Sequence, residues 1–144
     1  MKAELDPGKF DHYQLAKSVL NTTGILTKRI AAACKISEDR VPEILYEVIK
    51  YLNLTAFYDQ RLTPSLTVDY AWHEFILCTK AYSEFCQTYF GKYIHHHPGG
   101  SADENKKQFL KTLQYYRKHF GLPPEKFWGK MEQASCGVCE SISE

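Results

Sequence analysis

Nowhere does the chain run to the roughly 20 consecutive apolar residues that a membrane-spanning helix needs, so such a span is excluded. Neither sign of charge dominates. Lys and Arg number 18 against 17 Asp and Glu, a formal +1, so no global field draws the chain to nucleic acid or an anionic membrane. Any such binding would need a local patch. The opening residues, Met1 to Pro7, hold no apolar signal core, and the expectation is a cytoplasmic protein. Cysteines are few, five in all, odd in number and scattered, which suits reduced thiols better than a disulfide framework. Gly99-Gly100 is not followed by the Lys-Ser/Thr of a phosphate-cradling loop. No segment alternates with period two for long enough to build a sheet, and there is neither an internal repeat nor a low-complexity linker.

What is present is apolar residues at helical spacing. The 144 residues are 44% hydrophobic and 24% charged, enough to bury the core of one domain and too short for two of ordinary size. Phe10, Tyr13, Ala16 and Leu20 recur at steps of three and four before Asn21-Thr22-Thr23-Gly24 stops the pattern. Leu26 to Cys34 is a second short helix. Ser37 or Asp39 can cap a third, with Pro42 in its first turn and Val41, Leu45, Val48, Ile49 and Leu52 as its stripe. Ser65 or Thr67 caps a long helical run toward Gly91, and Asp103 opens a last helix with Leu110, Leu113, Tyr116 and Phe120 inward. The predicted fold is all-α: one helical domain over residues 1–130, of five to seven helices. A flexible Cys-containing tail follows over 131–144.

The central run carries the chemistry. Val68, Trp72, Phe75, Thr79, Tyr82, Cys86, Tyr89 and Tyr93 follow helical steps, most simply a core stripe. Asp69 and His73 lie four apart and share a face. A carboxylate beside an imidazole fixes the ring tautomer, which serves a metal ligand, an acid–base group or plain helix stability. Three adjacent histidines follow, His95-His96-His97-Pro98; consecutive residues cannot all point one way, so at most two can reach one point. On an unbroken helix His73 and Cys86 sit far apart round the axis. If the helix breaks at Cys78-Thr79-Lys80, with Thr79 capping the second half, Asp69, His73, Cys86 and His95 or His96 can converge. Imidazole, thiolate and carboxylate are ligand types that zinc or iron accepts. The bland alternative leaves these histidines bonding to buried carbonyls and Tyr hydroxyls.

Other motifs carry less. Cys136-Gly137-Val138-Cys139 supplies half of a tetrahedral zinc site, with no strand before it to make a thioredoxin-like centre. Leu26 to Leu52 has the length of a helix-turn-helix, but Glu38, Asp39, Glu43 and Glu47 line the start of its second helix and phosphates would repel them. Lys106, Lys107, Lys111, Arg117, Lys118 and His119 make the last helix locally basic, which reads as a solvated face before it reads as a nucleic-acid surface.

The run Asp69 to Leu77, then Tyr82, Phe85-Cys86, Phe90-Gly91 and Ile94-His95-His96-His97-Pro98, resembles the glycine-rich domain-containing protein-like family. That family's pattern is D-x-x-W-H, then F-C, F-G and I-H-H-x-P. The resemblance covers Thr63 to Pro124 well and Ile36 to Leu62 loosely, a family-like core of about 36–124. It implies a polar site of Asp69, His73, Cys86, His95 and His96, walled by Trp72 and Tyr82. The third histidine position is free in the pattern, so His97 is not part of that site. Many members carry a second His where this chain has Phe75, and the glycine-rich region of the longer members is absent. The expectation is a domain that binds a divalent metal, zinc or iron, or a small ligand at this site. The alternatives are a non-catalytic module for a protein partner, with structural histidines, and, weakest, nucleic-acid binding.

Overall fold

A computed structural model describes residues 2–97 and 99–129. Among the described residues there are seven α-helices and no strand, the all-α bundle that the periodicity predicts. Two short 3-10 turns, Lys2–Leu5 and Pro7–Lys9, lead into α1 (His12–Thr22), α2 (Leu26–Cys34), a further 3-10 turn (Glu38–Arg40) and α3 (Val41–Tyr58). Then come α4 (Leu66–Leu77), α5 (Thr79–Phe90), α6 (Ala102–Phe120) and the single turn α7 (Glu125–Trp128). The predicted tail with Cys136 and Cys139 lies outside the described residues.

The molecule is organised round α3. Its stripe of Val41, Leu45, Val48, Ile49 and Leu52 is fully buried, and Ile44, Tyr51, Leu54 and Ala56 are buried too. A helix apolar on nearly every face needs neighbours on nearly every face. Here α1, α4 and α6 supply them. A helix so enclosed cannot enter a DNA groove, which removes the helix-turn-helix reading of α2 and α3. The basic residues of α6, Lys106, Lys107, Lys111, Arg117 and Lys118, are exposed.

Where polar groups enter this core they are tied off. Glu47 and Lys50 of α3 are buried, with Lys50 Nζ 3.0 Å from Glu47 Oε2. Glu47 Oε1 accepts from the Tyr116 hydroxyl at 2.6 Å and from Trp128 Nε1 at 2.9 Å, so one carboxylate clasps α6 and α7 to α3. Lys50 also donates to the Tyr116 oxygen and sits 4.0 Å from the Tyr46 ring centroid, a cation over an aromatic face. Burial holds its ammonium below the ordinary lysine range, against the pull of Glu47. Nearby, His12 Nε2 lies 2.8 Å from Asn53 Oδ1, and Asn53 Nδ2 donates to the Leu5 carbonyl at 2.7 Å.

Three local readings shift in register. Helix α1 begins at His12, one residue after its cap Asp11, and buries His12, Ala16 and Val19. Phe10 stands before the helix and Tyr13 is exposed, because the His12–Asn53 contact turns the other face inward. Ser101, not Asp103, starts α6 by accepting from Glu104 N at 3.1 Å, and Phe109 takes the core position while Leu110 is half exposed. Ser65 caps α4 as expected, at 3.2 Å from Val68 N, but Thr79 caps nothing: Cys78 is the junction residue before α5.

Candidate functional site

The long run does break, at Cys78. Its backbone (φ −84°, ψ 68°) leaves the helix for one residue, ending α4 at Leu77 and starting α5 at Thr79. The two halves then pack on each other, with the Phe75 ring 5.0 Å from that of Tyr82 and 5.5 Å from that of Phe85. The left-handed Gly91 (φ 72°) ends α5 and sends residues 92–97 back across α4, a turn that glycine makes without a Cβ penalty.

Tyr82 pins this returning segment. Its buried hydroxyl accepts from Trp72 Nε1 at 3.0 Å and donates to the Ile94 carbonyl at 2.6 Å. Burial raises the phenol above its ordinary range, so it keeps the proton it donates. Cys86 is fully buried at the same junction. Burial raises its thiol, while hydrogen bonds with the Ile94 backbone and the Tyr82 hydroxyl pull the other way. Cys86 is thus a packed, protonated group on the closed side of Tyr82 rather than an available thiolate.

Beyond Ile94 the segment alternates, as extended backbone must. Ile94 is buried, His95 exposed, His96 half buried and His97 exposed. The His95 ring packs 4.6 Å from that of Tyr93 and 6.2 Å from that of His97. His96 alone turns onto α4, where its ring lies 4.7 Å from that of Trp72 and its Nε2 is 2.7 Å from Asp69 Oδ1. The carboxylate expected to serve His73, one turn along its own helix, serves His96 instead. The His73 ring is exposed, 6.3 Å from that of His96.

Of the seven residues picked out in the sequence, Asp69, Trp72, His73 and His96 therefore meet at one corner. Tyr82 supports it from beneath, Cys86 is sealed in, and His95 is exposed, away from the corner but lining the cleft beside it. Among the described residues no group of three or more His, Cys, Asp or Glu side chains is arranged to hold a metal ion.

The corner opens into a cleft of about 420 Å³ between the loop after α3 and the segment after α5. Asp59 to Pro64 build one wall of the cleft. Asp59 ends α3 in the left-handed region (φ 49°) and pairs with Lys92 across the gap at 2.5 Å. Arg61 Nη2 donates to the His97 carbonyl at 3.1 Å, and buried Asn105 of α6 donates to the Gly99 carbonyl at 3.1 Å. These contacts fasten the two walls together round the opening. Nothing in the sequence linked Arg61 or Asn105 to the histidines, because the connection depends on how the loop after α3, the return from α5 and the first turn of α6 come together.

A family model described as UCP032817-like matches residues 12–120. No curated protein and no solved structure matches the chain.

Proposed function

The chain belongs to the UCP032817-like family, the matched span enclosing the whole cleft; from that premise we propose that the domain binds a small molecule there. One observation carries the reading. The Asp69–His96 pair lies beside a cleft, with the His96 ring tilted against Trp72, and its two side chains are 29% and 27% exposed. A pair with a merely structural task gains nothing from a cleft above it. A pocket of this size, mostly apolar with a few convergent polar groups, suits a small ligand rather than a polymer. With Nε2 held by the carboxylate, the tautomer and ring orientation of His96 are set, leaving Nδ1 for a ligand. The resemblance of Thr63 to Pro124 to the glycine-rich domain-containing protein-like family supports the same corner, since Asp69, Trp72, His73 and His96 fall on its fixed positions.

The test is a saturation-transfer NMR screen of small organic acids, amines and alcohols, repeated on His96→Ala and Asp69→Asn. The expected result is saturable binding that both substitutions weaken at least about tenfold, the size of one lost charge-assisted hydrogen bond. Absence of binding, or binding that both variants keep unchanged, contradicts the reading.

A second reading places a divalent metal, zinc or iron, at the same corner. Asp69 and His73 stand on successive turns of α4, and the His96 ring is within reach of both. Two imidazoles on one tetrahedral zinc have ring centroids about 5 Å apart, so the 6.3 Å between His73 and His96 would have to close. Titration of the tag-free protein with Co2+ checks it. A visible absorption band that saturates at one equivalent and is lost in His73→Ala supports this reading, and a featureless spectrum removes it.

A further inference from the structure

The fixed charges lining the cleft balance in number, Arg61 and Lys92 against Asp59 and Asp69, but not in pairing. Its two carboxylates, Asp59 and Asp69, are each engaged, with Lys92 at 2.5 Å and with His96 at 2.7 Å. Arg61 is the cation left over: among the described residues no carboxylate lies within ion-pair distance of it. Its one hydrogen bond among the described residues, to the His97 carbonyl, uses a single N–H of the five on a guanidinium and neutralises no charge. The neighbouring backbone leaves room beside it. Gly100 sits at φ +82°, and a Cβ built there would stand 3.7 Å from Arg61 Nη2 and 3.3 Å from Asn105 Oδ1. Glycine at that point keeps a side chain out of the space that the guanidinium faces.

The two buried rings at the base of the cleft, Tyr51 and Trp72, have their polar tips taken. Tyr51 Oη donates to the Leu62 carbonyl at 2.7 Å, and the Trp72 indole N–H is taken by Tyr82. A ligand therefore finds no free polar tip on those two rings, while the His96 edge and the Arg61 fork line the same cleft. We infer that the ligand is a small organic anion, its carboxylate or phosphate received by Arg61 and its apolar body lying in the cleft beside His96 and the exposed ring of Tyr93. An arginine fork matches the paired oxygens of either group. The inference rests on the small-molecule reading and adds the chemical class.

The experiment is calorimetric titration of the full chain with four probes: 3-phenylpropionate, phenyl phosphate, 3-phenylpropanol and inorganic phosphate. Wild type, Arg61→Gln, Arg61→Lys and His96→Ala are compared, with thermal melts to confirm folding. The anionic aromatic probes should bind at least about tenfold more tightly than the alcohol. Arg61→Gln should remove that preference, Arg61→Lys should keep part of it, and His96→Ala should weaken all aromatic probes together. Phenyl phosphate against phenylpropionate decides which anion is preferred, and competition by inorganic phosphate alone would point to the phosphate. If the alcohol binds as well as the anions, or Arg61→Gln changes nothing, the anion inference fails while the cleft reading stands. If no probe binds, both fail.

Discussion

Each tryptophan of this protein sits in its own polar cluster, and the two clusters are built to opposite ends. Around Trp128, the carboxylate of Glu47 takes the indole N–H, the Tyr116 hydroxyl and the Lys50 ammonium, all in the core. Around Trp72, the indole N–H is fixed from below by Tyr82, while its ring carries the half-exposed His96–Asp69 pair beside a cleft. The first cluster has a partner for every charge and is buried throughout. The second has a fixed base, an unused imidazole nitrogen and room above. Charged residues in a core are thus weak evidence of a site by themselves; the useful signal is a partnered group with one edge left open.

Substitutions should separate the two clusters, and the largest effect belongs to the sealed one. Glu47→Ala strands the Lys50 ammonium in the core and should cost about 3–5 kcal/mol in urea unfolding. Glu47→Leu combined with Lys50→Met should recover much of that loss, because removing both charges removes the stranded one. Probe titrations of whatever protein remains folded should be unchanged. Next comes Tyr82→Phe, which deletes the hydroxyl between Trp72 Nε1 and the Ile94 carbonyl. It should cost about 1–3 kcal/mol and also weaken probe binding, since the 92–97 segment loses its tether. It is the one change expected to register on both sides of the comparison.

The pH dependence of stability comes next and belongs to the closed side. Burial holds His12 below the ordinary 6.5, with Lys50 adding to the effect and the hydrogen bond to Asn53 opposing it. Below pH 6.5 the unfolded chain takes up a proton that the folded chain resists. Stability is therefore complete above that value and falls as the pH drops beneath it. His12→Gln should flatten the fall in unfolding measured from pH 7 to 5. The smallest stability effect belongs to the open pair. Asp69→Asn should cost under about 1 kcal/mol, as the loss of a half-exposed side-chain contact does, yet weaken probe binding at least about tenfold. A large stability loss there would make the corner a second structural knot.

Helix type and the decisive break were legible because they depend on local pattern. The stripe of α3, the Ser65 cap, the stop at Gly91 and the kink near Cys78 all follow from spacing and from what each residue does to its own backbone. The partnerships were less legible. Asp69 and His73 share a face, so the i,i+4 rule paired them, but Asp69 bonds to His96, 27 residues on. Alternation along extended backbone could have singled out His96, since Ile94 must go inward and His95 must then go out. Cys86 carries ligand chemistry in its formula, yet Tyr82 and Ile94 close over it. Arg61 gave no signal, since its role depends on where α3 ends relative to the return from α5.

The difference between the two clusters can be read in one spectrum, because the chain has two tryptophans. In an indole-region 15N–1H correlation spectrum titrated with phenyl phosphate and 3-phenylpropionate, the Trp72 signal should move and saturate while the Trp128 signal stays still. Arg61→Gln should require at least about tenfold more probe for the same movement. Equal movement of both signals, or movement of neither, would contradict an open site at Asp69 and His96 set apart from a sealed one at Glu47 and Lys50.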